Sequence, residues 1–591
     1  MPLPSLFCYS GKMKLKAKWM GLALAGAALS GCGALLGLDE FTEGAGGSGT
    51  GTGSTSTSTV TSGGACTGAE TQPCYEFDAA TLGKGVCKGG TKTCKDGVFG
   101  ACEGQVGPSA EDCSKPDDES CDGVACSEAV WSKQFGDATP AAKNLAAVED
   151  LAALANGNVL VAGVFTSSIN FGPTAATTLT TSPGNVSIFL AELGPDGSHV
   201  WSKRFETQGD GTSLVKLAVS SSGQIFLSAF YKVAIDFDGS VLTALGVTAR
   251  DFFVASFDKT GKLLWDKTFG LESQAFVSDS AVGPDGDPVF VGQYGNGSLA
   301  LDGMTYDSPM GFNAFVAKLG HADGAVVWSH SYGDSASATV GDQAATAVAV
   351  DTTGKIAIMG TMNAVTDFGS GSNDYSPAGG TDVFVTQLAA DGNPIWHTYF
   401  FGPQDESAAS LAVDSVGSIY VAGAFSGATQ FRATDLSMTK STTGPTDSDF
   451  YLVKITAQGK HAWMKQYGNA SPQVDPSALS LGAGLFLSVD SKDNVLFAGG
   501  FLGAITLGTA ALTSAGDSDW FVGKLSSDGA HLWSKSFGDS APTQLVTSVG
   551  SDPKTDAVVL AGVNDGSLAI GPGAPLKAKG SLDVVVAKLN P

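Results

Sequence analysis

Arginine is nearly missing from this chain: Arg204, Arg250 and Arg432 are all that 591 residues contain, and histidine occurs six times. With 33 basic side chains against 58 acidic ones the net charge is −25, which leaves no basic patch of the kind that phosphate backbones require and excludes a nucleic-acid partner. No cysteine follows Cys126, so the remainder can be neither crosslinked nor armed with a thiol. Charged residues make up only 15% of the whole. The apolar run at 19–29 falls well short of the roughly 20 residues that cross a bilayer as a helix.

What is plentiful is repetition. Trp131, Trp201, Trp265, Trp328, Trp396, Trp463 and Trp533 follow one another at 70, 64, 63, 68, 67 and 70 residues, a period that marks stacked supersecondary units. Segments 251–270, 382–402 and 519–538 are versions of one pattern, DFFVASFDKTGKLLWDKTFG in the first. Each unit holds four apolar runs of strand length, in the fifth unit 410–414, 419–425, 450–455 and 462–467, bounded by Gly, Asp or Ser. Short turns such as Ser415-Val416-Gly417-Ser418 and Asp391-Gly392 join first to second and third to fourth runs, because Gly, Asn and Asp accept positive φ at least cost. Four antiparallel strands repeated in this way are blades of a β-propeller, with apolar residues alternating along the strands. Another Trp strand would fall due near residue 600 on the mean period, whereas 130–136 is a Trp strand with no unit before it. The expectation is an all-β fold over 127–591: a seven-bladed β-propeller of four-stranded antiparallel blades, closed by pairing the Trp131 strand with the final run at 584–589, so that no sheet edge stays open.

Ahead of it, residues 1–31 set Lys12, Lys14, Lys16 and Lys18 before an apolar run and read as a secretion signal. Leu29-Ser30-Gly31-Cys32 resembles the lipobox of bacterial lipoproteins, which implies cleavage before Cys32 and acylation of its thiol and new amino group. Several acyl chains on one residue exceed the single-chain limit for stable anchoring, and Gly33 in place of aspartate implies an outer-membrane destination in that family. Met13 opens a more usual signal, so both Met1 and Met13 stand as starts. Losing the four signal lysines takes the chain from −25 to −29. Within the anchor segment 32–65, residues 44–65 are almost wholly Gly, Ser, Thr and Ala, a tether with an end-to-end distance of roughly 25 Å.

Eight cysteines crowd the segment 66–126: Cys66, Cys74, Cys87, Cys94, Cys102, Cys113, Cys121 and Cys126. In an exported chain an even number in so small a unit reads as a disulfide framework, its pairing open, because the unit cannot bury enough apolar surface unaided. The rival, zinc, lacks histidine and paired CxxC here. The stretch from Glu111 to Gly123 resembles an acidic cysteine motif of bacterial surface proteins that implies metal binding; Ser114-Lys115 and Glu119-Ser120 depart from the pattern. Asp117, Asp118, Glu119 and Asp122 could hold Ca²⁺, or form a solvated acidic turn between two bridges. No cofactor is required by any other feature.

Three columns recur with the tryptophans. The rings themselves are expected to cover the gap between blades. Phe171, Phe237, Leu301, Phe368, Phe431, Leu507 and Ile570 are apolar in every unit and are expected in the core. Ser187, Asp251, Asn313, Asp382, Asp449, Asp519 and Asp583 open each third strand with a side-chain oxygen, suited to accept N–H groups of the preceding turn. Ala412-Val413-Asp414, Tyr420 to Gly423, Phe450 to Lys454 and Trp463 to Gly468 carry a resemblance to the bacterial β-propeller repeats called SBBP, found in surface lipoproteins. That resemblance covers nearly all of 131–591 and implies fold and exposure, without an activity.

Two enzymatic propellers are excluded on residues. Asp258 to Trp265 is similar to the tryptophan docking motif of quinoprotein dehydrogenases but is one residue short, and no cysteine is present for a vicinal disulfide. Ser526 to Trp533 is near the Asp-box of sialidases, yet the three arginines stand on different units at unrelated positions. His199, His461 and His531 sit at one turn position and His321, His330 and His397 are scattered, so no catalytic constellation is nominated.

The functional expectation is therefore not an enzyme but a monomeric, lipid-anchored binding or adhesion platform, an outer membrane lipoprotein on the periplasmic side or cell surface, meeting the membrane only through its anchor. Its partners would be envelope or extracellular proteins or glycans. The alternatives are an outer-membrane assembly scaffold and a polysaccharide hydrolase or lyase. Connections from second to third strands and from fourth to the next first vary in length and share one face, where insertions mark a binding surface. Asp334, Asp342, Asp405 and Glu406 are its candidate residues, with Asp137, Glu149, Asp150 and Asp539 beside them, suited to a cationic partner or a Ca²⁺-bridged glycan.

Overall fold

A computed structural model describes residues 66–109, 118–119, 121 and 129–591, apart from 137–144, 173, 209–212, 246–249, 272, 334–340, 369–374, 376–378, 427, 432–436, 440–448, 469–483, 509–510, 517, 541–543, 571–573 and 580–581. Cys32, Cys113, Cys126, Asp117, Asp122, Asp137 and Asp334 lie outside the described residues. The chain divides into two compact units, one ending at Pro108 and the other running from Ser109.

The small unit is a three-stranded sheet, Thr71–Cys74, Gly90–Lys95 and Val98–Phe99, with a turn of 3₁₀ helix at Ala79–Thr81 capped by Asp78. Cys66 is bonded to Cys94 and Cys74 to Cys102, and Cys87 is also disulfide-bonded, as is Cys121 beyond this unit. The cysteines supply most of its buried side chains, as expected of a unit too small for an apolar core. Disulfides persist in oxidising compartments, so the chain is extracytoplasmic.

The large unit is a β-propeller of antiparallel four-stranded sets. Sheet one comprises Ala146–Ala153, Val159–Phe165, Ser187–Leu193 and His199–Gln208. Sheet two is Ser213–Val219, Ile225–Tyr231, Asp251–Phe257 and Leu263–Leu271; sheet three is Gln274–Val282, Pro288–Leu301, Met304–Leu319 and Val326–Tyr332. Sheet four is Gln343–Val350, Ile356–Met362, Asp382–Leu388 and Pro394–Phe401; sheet five is Ser410–Val413, Ile419–Phe425, Asp449–Ile455 and His461–Tyr467. Sheet six is Leu485–Val489, Val495–Phe501, Asp519–Leu525 and His531–Phe537. Sheet seven is Gln544–Ser551, Val558–Asn564 and Asp583–Leu589, and its fourth strand is Ala129–Phe135. The first strands lie side by side in chain order, with Gln544–Ser551 against Ala146–Ala153.

The hydrophobic core lies between sheets. Each cluster joins one sheet to the next, from Phe165 and Phe189 packed with Val559 and Val584 to Leu496 and Trp520 packed with Val558 and Val585. Second and third strands are therefore covered on both faces, and Val159–Phe165, Asp382–Leu388 and Asp583–Leu589 are buried throughout. This corrects the expected alternation: a strand sandwiched between two sheets carries a continuous apolar run.

The tryptophans hold the sheets together as expected, and by a hydrogen bond as well as a ring. Trp131, Trp265, Trp328, Trp396 and Trp463 donate Nε1 to carbonyls in the next sheet's third-to-fourth turn, Pro195, His321, Ala390, Ala457 and Ser527, at 2.7–3.2 Å. The turn glycine rests on the ring; a Cβ on Gly324 would lie 2.6 Å from Trp265. Sheet seven has no such turn, because its third and fourth strands are not consecutive. Trp533 Nε1, which would point there, has no partner among the described residues.

The second-to-third connections carry additional structure that sequence patterning did not reveal. Most fold into a hairpin, such as Ala234–Phe237 with Ser240–Thr243, that pairs with the fourth strand of the preceding sheet. Pro288–Leu301 and Ala428–Phe431 do the same, and single bridges Gly136 to Asn170 and Gly333 to Asp367 repeat it. Phe171, Phe237, Leu301, Phe368, Leu507 and Ile570 stand on or beside these connections and are buried; the side chain of Phe431 is outside the description.

Candidate functional site

The ends of the sheets differ, and the candidate residues fall at one of them. At the end formed by first-to-second and third-to-fourth connections every turn has five or six residues, such as 154–158, 220–224, 351–355 and 552–557. At the other end the connection to the next sheet runs from two residues at 272–273 to seventeen at 468–484. Asp342 Oδ1 accepts the Phe312 N–H at 2.9 Å, and the Asp342 N–H donates to Asn363 Oδ1 at 2.6 Å. Asp405 is exposed, and its Oδ1 accepts the Thr381 N–H at 2.9 Å. Asp539 accepts from the Ser567 N–H and from Gln544 Nε2, both at 2.8 Å. These carboxylates tie their loops to the neighbouring second-to-third connections or third strands.

Glu406 is placed differently. It is 2% exposed, and its Oε1 accepts the Thr429 hydroxyl at 2.6 Å. Burial pushes its carboxyl up to about 8, and the charges of Asp382 and Asp405 push in the same direction. Asp382, itself buried, accepts the Tyr375 hydroxyl at 2.6 Å. Glu406 is thus a proton-holding interior group beside the loop end rather than a surface ligand.

Glu149 and Asp150 also leave the loops. They lie at the bulge in the first strand of sheet one, where the register shifts between Val148 and Asp150. Glu149 Oε2 accepts the Val215 N–H at 2.5 Å and Asp150 Oδ2 the Leu217 N–H at 2.9 Å, both in sheet two. Asp150 Oδ1 accepts the Ser548 hydroxyl of sheet seven at 3.1 Å. Asp279 makes the same link from sheet three to the Val348 N–H of sheet four at 2.9 Å. Burial raises the carboxyls of both Asp150 and Asp279, the latter to about 6, against the opposing charge of Lys216 between them. Sequence reading grouped Glu149 and Asp150 with the loops and missed Lys216 and Asp279; the cue is a charged residue inside an apolar first strand.

The column opening the third strands behaves as expected in part. Asp519 Oδ2 accepts the Ala515 N–H at 2.6 Å and Asp583 Oδ2 the Lys579 N–H at 2.8 Å, whereas Asp449 accepts from the Gln466 side chain at 2.9 Å. Each carboxyl also presses on the glycine ending the W-x-K-x-F-G pattern. A Cβ on Gly136, Gly270, Gly468 or Gly538 would lie 2.0–2.1 or 2.2 Å from Asp583, Asp251, Asp449 or Asp519, which explains the glycine. In the cysteine-rich segment, Asp118 is buried, and among the described residues no three ligating side chains gather as a metal site.

No family model matches the chain, and no curated protein matches it. Among solved structures it is similar to BamB from Moraxella catarrhalis, at 12% identity and a TM-score of 0.31 over 75% of this chain and 99% of that one. It is similar to the quinohemoprotein alcohol dehydrogenase of Comamonas testosteroni, at 10% identity and a TM-score of 0.33 over 78% and 76% of the two chains. A gluconolactonase from Xanthomonas campestris matches at 14% identity and a TM-score of 0.29, over 65% and 89%. These are β-propeller proteins, two enzymes and one not so titled, and at such scores the likeness assigns neither activity nor partner.

Proposed function

We propose that the chain is a binding platform of the bacterial envelope: a seven-bladed propeller closed by Ala129–Phe135, held to the outer membrane by acylated Cys32 and raised on the tether 44–65. It engages an envelope or extracellular protein or glycan through the connections at its loop end. The observation that carries this reading is the contrast between turns of five or six residues at one end and connections of two to seventeen residues at the other, because length variation confined to one face of a repeat array is where binding surfaces are built. Closure is supported by register. Trp131 stands opposite Lys588 after the same irregularity that precedes Trp463 opposite Lys454 and Trp533 opposite Lys524. Asp342, Asp405 and Asp539 give the face an acidic character suited to a cationic partner, or to a glycan bridged by Ca²⁺, and the same ion would suit Asp117, Asp118, Glu119 and Asp122.

The test is crosslinking on whole cells, with the full protein and a variant whose 334–340 and 469–483 connections are replaced by short Gly-Ser links. Loss of the captured partner at unchanged melting temperature is expected. Equal capture by both proteins would move the binding surface elsewhere.

A further inference from the structure

The seam that follows sheet one departs from a pairing shared by four other sheets, while sheets two and four carry the neutral Ser256 and Gln387 opposite their tryptophans. In sheets three, five, six and seven the third-strand residue opposite the tryptophan is a lysine: Lys318, Lys454, Lys524 and Lys588. Each reaches an aspartate of its own sheet's first turn: Lys318 to Asp285 at 2.5 Å, Lys454 to Asp414 at 3.1 Å, Lys524 to Asp490 at 2.9 Å and Lys588 to Asp552 at 2.5 Å. Lys454 and Lys588 also donate to carbonyls of the next sheet, Ser527 at 3.0 Å and Gly157 at 3.4 Å. The ammonium is the plug of the seam.

Sheet one has lost both halves of this pair. Glu192 stands opposite Trp201 where the lysine should be, and Leu154 begins the turn where sheets five, six and seven have Asp414, Asp490 and Asp552. Glu192 is 6% exposed, and its oxygens accept from Asn158 Nδ2 and, at 2.6 Å, from Trp201 Nε1. Trp201 is thereby diverted from the next sheet's turn, where the Lys259 carbonyl occupies the place that Pro195 and Ser527 hold for Trp131 and Trp463. A cavity of about 750 Å³ opens at this seam, with Glu192, Val200, Trp201, Val219, Ile225 and Lys259 in its lining.

We propose that this cavity binds an aliphatic primary ammonium, the chemistry of the side chain that the repeat lacks here. Both side-chain partners of Glu192 are neutral donors, and among the described residues no ion pair reaches it, whereas a cationic donor makes the stronger hydrogen bond to a carboxylate. An incoming ammonium would give one hydrogen to Glu192 and another to the Lys259 carbonyl, while Val200, Val219 and Ile225 cover its methylene stem and the Trp201 ring flanks the charge. The Lys259 ammonium is exposed at the mouth and opposes entry. The ammonium can come from a free diamine or from a lysine side chain of a partner protein. The cavity sits at the turn end, so it is independent of the loop-end surface proposed above.

Calorimetric titration of the full protein with 1,5-diaminopentane and with Nα-acetyl-lysine amide tests this, with Nα-acetyl-norleucine amide as the uncharged control. The wild type should bind at least one amine saturably and the control not at all. Diaminopentane alone would identify free amines as the source, and lysine amide a partner's side chain. Glu192→Gln should weaken binding roughly tenfold or more, and Lys259→Met should tighten it. Leu154→Asp with Glu192→Lys, which restores the repeat's own pair, should abolish binding without lowering the melting temperature. No saturable heat with either amine, or unchanged affinity in Glu192→Gln, would overturn the proposal.

Discussion

The two ends of the sheets are held by different kinds of contact. At the turn end one set repeats: Asp351, Asp414 and Asp490 each fold a turn by accepting its backbone N–H groups at 2.7–3.2 Å, lysines pair with the aspartates of sheets three, five, six and seven, and tryptophans reach the following sheet. At the loop end the candidate carboxylates make contacts found once each, Asp342 to Phe312, Asp405 to Thr381, Asp539 to Ser567. A repeated set fixes how neighbouring sheets stack and leaves little room to change. Contacts made singly can be exchanged sheet by sheet without undoing that stacking, which is the physical reason to place recognition there.

The largest effect should come from the join that both ends depend on. Deleting Ala129–Phe135 would leave Asp583–Leu589 as an open edge along its full length, and the expected outcome is aggregated protein on size exclusion. A monomeric deletion variant with an unchanged melting temperature would remove the strand from the closure.

Next in size is the turn end itself. Lys524→Met strands the carboxylate of Asp490, whose side chain is 0% exposed, and should cost about 3–5 kcal/mol in denaturant unfolding. Adding Asp490→Asn should recover most of that loss, because the amide oxygen still accepts the Lys492 and Asn494 N–H groups and no unpaired charge remains. If the double variant is no better than the single, the lysine acts through packing and the pairing account of the turn end fails.

A smaller effect, confined by pH, is expected beside the loop end. The carboxyl of Glu406 is raised to about 8, whereas in the unfolded chain it titrates near 4.3. Between these values the folded protein holds the proton that the unfolded chain has released, so the contribution of Glu406 to stability falls as pH rises from about 4.5 to 8 and is level above. Asp279, raised to about 6, acts in the same direction over the lower part of that range. Glu406→Gln should remove its share, raising stability at pH 9 by on the order of 2 kcal/mol with little change at pH 4. Parallel curves for the two proteins across this range would place the titration elsewhere.

Much of the propeller was legible because its contacts repeat. The tryptophan period, the turn glycines and the Asp and Lys of A-V-D and F-V-A-K-L recur at fixed offsets, and each recurrence corresponds to a contact seen in several sheets. The pairing of that Asp with that Lys was not read from the motif, since residues such as Asp414 and Lys454, far apart along the chain, meet only when the sheet forms. Contacts made once left no pattern. Glu406 was indistinguishable from Asp405 in sequence, yet one backbone step turns it inward to Thr429. Several of the second-to-third hairpins were hidden for a related reason: strands such as Ser168–Asn170 and Ala504–Thr506 are three residues long, too short for any periodicity to show.

The finest cut between the two ends uses substitutions that keep shape and remove charge. Asp342 is half-buried and Asp405 exposed, and each spends one oxygen on a backbone N–H. An asparagine keeps that oxygen, so Asp342→Asn with Asp405→Asn should change stability by no more than about 0.5 kcal/mol per site, as surface substitutions generally do. Asp342→Ala leaves the Phe312 N–H without its acceptor and should cost about 1–2 kcal/mol. If the loop end recognises a cation, the asparagine pair should weaken capture on whole cells while its unfolding curve overlays that of the wild type. Neutralising Asp196, Asp391 and Asp528 at the turn end, where they close their own turns, should leave capture unchanged. The reverse pattern, with capture lost from the turn end and kept at the loop end, would exchange the roles assigned to the two ends.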